Sequence, residues 1–484
     1  MALETWIVKL KTAISSSFEN TKMRKSNVGV LAFEIAGLMS KILHLWQSLS
    51  DKNIIRLKND SISLEGVRKI VSSDESFLLN LACAEMIENL RLIAKSISCI
   101  SKRCEDSNFR SFDRVFEEFA NAGRDIHNWV LSCKEMEAKN KKMDRYISLT
   151  SSLHKEMDEL STLENSLRKL VLCDHNKQKQ KEQYSIKEQN KMIDLQQKIL
   201  WQKQEVKYLK ESSLWSRSFD TVVSLLSKSS FTVLARIKHV FGFNQGLYAA
   251  SLPRSLSASA MVHPSDQNPP PLPCPFVSGP PKASSPDSEV IKHVMVVDNS
   301  KSGKEFSFFE TNSKLLKPSA TTLGSAALAL HYANLIIVMD KMIKSPHLVG
   351  IDARDDLYAM LPSSIRSSLR ARLKGIGFSG TDPVLAGEWR DALGRILGWL
   401  LPLAHNMIKW QSERSFEHQN LVPKTNVLLL QTLFFASKEK TEAAITELLV
   451  GLNYIWRFER EMEAKALFEC TNLNNGLVKL ENSS

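Results

Sequence analysis

Ten of the sixteen prolines fall between Pro253 and Pro286. The centre of that run, "HPSDQNPPPLPCPFVSGPPKASSP", can form neither a helix nor a sheet ladder and buries little apolar surface. Residues 251–318 therefore read as a disordered or extended linker. The linker divides a chain whose 484 residues already exceed one ordinary core. Hydrophobic residues make up 43% of the sequence, enough to bury a core over much of its length.

Before the linker the apolar spacing is helical. Residues 1–27 form a basic amphipathic segment with Leu3, Trp6, Ile7, Leu10 and Ile14 on one side, suited either to a membrane surface or to docking on the following helices. Residues 28–133 read as an N-terminal helical domain. Within it, 28–49 is apolar on most sides, as a buried helix is. The helix over 72–104 opens on Ser72-x-x-Glu75, the spacing of a capping box. Phe112, Val115, Phe116 and Phe119 make one stripe. Together these predict an antiparallel bundle.

Residues 134–212 contain neither Pro nor Gly. Tyr146, Leu153, Leu160 and Leu167 recur every seven residues, with Leu149, Leu163 and Leu170 as companions. After a Lys/Gln-rich break the pattern resumes at Met192, Leu195, Ile199, Val206 and Leu209, with Glu156 and Lys203 interrupting it. Heptad spacing of this kind predicts a long coiled-coil-like arm, closing as a hairpin, as a homodimer, or along its own bundle. Residues 213–250 read as a helical extension.

Residues 290–309, two β-rich runs around "DNSKSGK", predict a short hairpin inside the linker. Gly303-Lys304 is no P-loop, because the earlier Gly and the following Ser/Thr are missing. Helical patterns return in a C-terminal domain over 319–470, followed by a tail over 471–484. The fold class is all-α.

The net charge of +11 favours acidic proteins, anionic membranes or nucleic acid, but over this length it also suits an ordinary basic protein, and no nucleic-acid motif accompanies it. Seven cysteines without a Cys-x-x-Cys pair point to a reducing, intracellular setting, and no His-x-x-x-His pair suggests a metal. The N-terminus lacks the features of a signal peptide, and no apolar run is long enough for a transmembrane helix. Ala2 excludes N-myristoylation, which needs Gly there. No cofactor is implied.

Three places carry candidate chemistry. Arg366, Arg370, Arg372 and Lys374 on the helix at 361–375 form a basic face for an anion, a lipid head group or an acidic partner, or else a solvated face paired with Asp352, Asp355 and Asp356. Ser257, three residues after Arg254, has the spacing of a basophilic phosphorylation site, and "PPPLPCP" that of a polyproline II ligand or a plain spacer. The stretch "WLLPLAHNMIKWQSERSFE" gathers His405, Lys409, Trp410, Glu413 and Arg414, with Pro402 expected to kink or restart the helix. His405 and Ser412 lie about 10 Å apart along a straight helix, too far for a nucleophile and its base. A structural or partner-facing helix is the better reading. Lys409–Glu413 and Arg414–Glu417 have ion-pair spacing. The sequence offers no enzymatic constellation.

Several blocks are similar to a known family. "VGVLAFEIAGLMSKILHLWQSLSD", "TTLGSAALALHYANLIIVMDKMI", "MLPSSIRSSLRARLKG", "WLLPLAHNMIKWQSERSFE" and "VLLLQTLFFASKEKTEAAITELLVGLNYIWRFE" resemble, in order, the two domains of the plant phytosulfokine-simulator family. The resemblance covers roughly residues 28–170 and 319–465. It implies a plant growth regulator linked to phytosulfokine and brassinosteroid responses, without established enzymatic activity, placed at the nucleus and plasma membrane. The best-known members are N-myristoylated. Ala2 departs from that pattern and suggests a shorter, non-myristoylated branch. The expectation is an intracellular, nuclear or cytoplasmic adaptor working through other proteins. An alternative is a peripheral scaffold on anionic lipid at the plasma membrane.

Overall fold

The computed structural model describes residues 22–179, 186–243, 307–346, 349–374, 382–415 and 427–481. Among them the chain is helical, with a single isolated β-bridge between Thr322 and Ser437. The helices are α1 (Lys22–Ser48), α2 (Asp51–Arg56), α3 (Glu65–Ile70), α4 (Glu75–Ser101), α5 (Ser107–Arg110), α6 (Phe112–Ala122), α7 (Cys133–Lys179), α8 (Ile186–Ser212), α9 (Phe219–Val240), α10 (Phe308–Leu315), α11 (Ala329–Lys344), α12 (Ile351–Met360), α13 (Ser363–Leu373), α14 (Pro383–Ser415) and α15 (Lys438–Glu481). The all-α expectation holds.

α9 packs on α1, α4, α6 and α7. It can do so because Val222, Val223, Leu226, Phe231, Val233, Leu234 and Ile237 leave it apolar on most sides. The predicted stripe of α6 is buried, and its rings pack around Phe231, Phe119 stacked at 4.9 Å and Phe116 edge-on at 5.2 Å, with Trp129 from the following segment edge-on at 5.0 Å. Gly123 closes α6 in the left-handed region, at φ 71°, where a side chain would be strained. α4 starts differently from expectation. Asp74 is its N-cap, accepting from Ser76 N–H at 2.9 Å, while the Ser72 hydroxyl oxygen accepts from Asp74 N–H. The reciprocal Ser72–Glu75 box is not made, because the aspartate lies two residues nearer the first turn.

Lys238 is buried at the negative end of α6, where its ammonium donates to the Phe119 and Ala120 carbonyls at 3.0 and 2.6 Å. Burial pushes it down from 10.5 to about 8. Between those values the unfolded chain holds a proton that the folded chain has released. This group's contribution to stability therefore rises with pH across that window and is least favourable below it. The stability of the wild type relative to Lys238→Met is expected to rise on the order of 3 kcal/mol from about pH 7.5 to about pH 10.5, read by urea unfolding. A constant difference would mean that the ammonium is not desolvated.

α7 is 47 residues long, roughly 70 Å at the helical rise. It opens on a Ser132–Glu135 box, with Ser132 N–H donating to the Glu135 carboxylate at 2.9 Å and Glu135 N–H to the Ser132 hydroxyl at 3.4 Å. Its first half lies along α1, and its second half pairs with α8. Leu153, Val206 and Leu209 make that seam, with Leu149, Met157 and Leu160 beside it. The residues that broke the heptad pattern are accommodated in polar pairs. Glu156 accepts from Gln202, and Lys203 bonds Glu164 at 2.9 Å. Both ends of the hairpin return to α1, so the arm closes within the chain and also packs along its own bundle.

In the C-terminal half α14 packs on α11 and α15, and α13 on α15. α14 runs from Pro383 to Ser415 as one helix and does not restart at Pro402. The bond lost there is offset by burial of Leu400, Leu403, Ala404 and Met407 against neighbouring helices. Of the hairpin expected over 290–309, residues 290–306 lie outside the described residues; Phe308 and Phe309 open α10, because they pack on Phe243 and Phe116. The tail expected from 471 is helix as far as Glu481, continuing α15.

One buried core runs through both halves. Backbone and side-chain bonds tie them together: Ser437 N–H to Ile70 C=O at 2.7 Å, and Leu429 N–H to the buried Glu85 carboxylate at 2.7 Å. α3 lies so close to α14 that a Cβ on Gly66 would sit 2.3 Å from the Trp399 carbonyl oxygen.

Candidate functional site

Where α3, α13, α14 and α15 meet, they leave an open groove of about 830 Å³. Lys69, Arg372, Trp399, Lys438, Glu442 and Glu447 line it. The Lys69 ammonium lies 5.1 Å over the Trp399 ring. On the floor, Glu442 accepts from Tyr332 Oη at 2.6 Å and Ser364 Oγ at 2.9 Å. Burial, followed by this bond and the Glu442 charge, pushes the Tyr332 phenol well above its ordinary range. It is a structural hydroxyl that holds a proton at any ordinary pH. Cations and carboxylates alternate around the groove, so it carries no single sign of charge.

The predicted basic face lies on α13 beside this groove, but its partners are not the aspartates of α12. Arg372 grips Glu447 with Nε and Nη2, both at 3.0 Å. Arg370 donates to Tyr358 Oη at 2.8 Å. Arg366 lies 5.8 Å from the Tyr358 ring, with its Nε buried and unbonded. Lys374 is exposed at the C-cap. The Arg372–Glu447 pair is half exposed, which limits its worth to roughly 0–1 kcal/mol.

On α14, Leu403 and Met407 are buried, Trp410 is half-buried, and His405 and Lys409 point to solvent. Ser412 Oγ donates to the Lys409 carbonyl at 2.9 Å, not to a base. Glu413 is half-buried, has one unbonded carboxylate oxygen and makes no ion pair with Lys409. The structure does not bring His405, Ser412 and Glu413 into a cleft. The side chains of Arg414 and Glu417, and all of Ser257, "PPPLPCP" and the Trp6 segment, lie outside the described residues. Among the described residues no group of His, Cys, Asp and Glu is arranged to hold a metal ion, and no helix is long and apolar enough to cross a membrane. Cys83 and Cys104 are buried and free, and burial pushes the Cys83 thiol up to about 12.

Sequence reasoning missed Glu442, Glu447 and Tyr358. Arg372 meets Glu447 across 75 residues and Tyr332 meets Glu442 across 110, distances at which no local pattern operates.

Of the elements framing this groove, α3, α13 and most of α14 fall in two matched domains, and α15 lies beyond them. Residues 30–86 match a domain of unknown function (DUF3475), and residues 322–409 match a protein family of unknown function (DUF668). An all-α chain with these two domains in this order is the class that the fold defines. The chain is 26% identical to Protein PSK SIMULATOR 1 of Arabidopsis thaliana over 453 residues, covering 91% of this chain and 58% of that protein. It is 25% identical to Protein PSK SIMULATOR 2 of the same plant, covering 93% of this chain and 63% of that protein. Both matched domains and the similarity along most of the chain liken it to the phytosulfokine-simulator proteins. It spans about three-fifths of the length of these relatives. No solved structure matches.

Proposed function

We propose that the protein is a non-enzymatic intracellular regulator of plant growth, related to phytosulfokine signalling and acting through protein–protein contacts. The observation that carries this reading is similarity to the PSK SIMULATOR proteins along 91% of the chain, across both halves and the arm. The groove supports it as well, being open and charge-balanced. The docking faces are α13 with the outer side of α14, and the proline-rich segment with Ser257 is a modifiable tether between them and the N-terminal helices. Engagement of Arg370 and Arg372 by Tyr358 and Glu447 weighs against the anionic-lipid alternative.

Seedlings lacking the protein are expected to lose most of the root elongation that added phytosulfokine produces. A copy carrying Arg370→Glu and Lys374→Glu, both on the exposed side of α13, is expected to fold and not to restore it. A full hormone response in the null line would overturn the growth reading. Full rescue by the folded double variant would remove the α13 face from it.

A further inference from the structure

α8 has two apolar sides. Ile199, Val206 and Leu209 are buried, the last two in the seam with α7. At 3.6 residues per turn, Ile193, Leu200, Trp201 and Tyr208 fall on the opposite side. They are 59%, 67%, 78% and 62% exposed. This second stripe is roughly 22 Å long, and an arm stabilised only within its own chain has no use for it.

Its spacing is symmetric. The intervals along the stripe are seven, one and seven residues, so it reads the same in either direction about the Leu200–Trp201 bond. Gln197 and Gln204 fall in the same stripe, are exposed, and are equidistant from that centre. We propose that a second copy of this chain docks there, antiparallel, with a two-fold axis at Leu200–Trp201. Each Ile193 then meets the other copy's Tyr208, each Leu200 the other Trp201, and each Gln197 the other Gln204. The glutamine layers fix the register at some cost in stability, as buried polar layers do in coiled coils. An isologous interface needs a surface complementary to itself, and a palindromic stripe is one. A shallow recess formed by Lys203, Gln204, Lys207 and Glu211 beside Tyr208 gives the incoming Ile193 a seat. Two such stripes bury on the order of 1,000 Å², the threshold for a specific interface. Asp194, Glu205 and Glu211 alternate beside the stripe with Lys198 and Lys207, a mixed border that suits a second protein copy better than a purely anionic surface.

The test is light scattering coupled to size exclusion, on the full chain at about 10 µM, the affinity range of a modest interface. The expected mass is twice 54.7 kDa. Leu200→Lys with Trp201→Lys, both at exposed helical positions, is expected to keep the circular dichroism spectrum and raise the dimer Kd at least ~30-fold, the factor set by 2 kcal/mol. A mixture of Gln197→Cys and Gln204→Cys chains is expected to form the 197–204 disulfide, identified by peptide mass spectrometry. A monomer mass for the unaltered chain, or an undiminished dimer in the lysine variant, would overturn the proposal. Disulfides joining 197 to 197 or 204 to 204 in the single variants would overturn the antiparallel arrangement.

Discussion

Phe231→Ala is expected to lower the unfolding free energy by about 4 kcal/mol, the cost of a large cavity in a core that cannot close around it. Phe231 is fully buried, and four aromatic rings, from Phe112, Phe116, Phe119 and Trp129, contact its ring. Those rings come from α6 and the segment before α7, so none can move inward without dragging the backbone that carries it. A loss of this size is a large fraction of the roughly 5–15 kcal/mol that holds a typical domain together. Guanidinium unfolding followed by circular dichroism measures it. Phe77→Ala, at a ring 42% exposed, is the control and is expected to stay within about 0.5 kcal/mol of wild type. Equal losses in the two variants would mean that the Phe231 cluster is not the packed centre described.

Gly66→Ala is the second large effect, expected at about 2–3 kcal/mol, even though alanine ordinarily favours a helix over glycine. The new methyl would sit 2.3 Å from the Trp399 carbonyl oxygen and 2.6 Å from Leu403 Cδ1. The leucine tip can rotate away, but the carbonyl belongs to the middle of α14 and is fixed by the helix. Relief must come from parting α3 and α14, the contact between the two matched domains. Thermal unfolding gives the magnitude, and a red shift of tryptophan emission from Trp399 is expected to accompany it. A variant as stable as wild type would show that the halves do not meet at Gly66.

Helix type and position were legible because apolar periodicity is local. The Phe112–Phe119 stripe, the heptads of α7 and the packing side of α14 all follow from residues within two turns of one another. The errors have local causes as well. Two acceptors, Ser72 and Asp74, competed for one helix start, and the nearer won. Of the kink or restart expected at Pro402 the restart is absent: the loss of one bond could be counted from the sequence, whereas the burial on either side of it could not. The candidate site was only half legible. Arg366, Arg370 and Arg372 announced a basic face, but its partners are a glutamate and a tyrosine supplied by other helices. The outer stripe of α8 is masked in the sequence because a heptad pattern marks one side of a helix, and this helix is apolar on two.

Glu85 has a consequence for how the chain is made. Its buried carboxylate receives Leu429 N–H from 344 residues downstream. At ribosomal rates of roughly 5–20 residues per second, that partner emerges some 20–70 seconds after α4 does. For that interval the N-terminal helices hold a charged side chain and an uncovered apolar wall, and their half of the core stays unfinished. The newborn N-terminal half therefore waits in an open state until translation delivers its lid, and that interval is when chaperones have the most surface to hold.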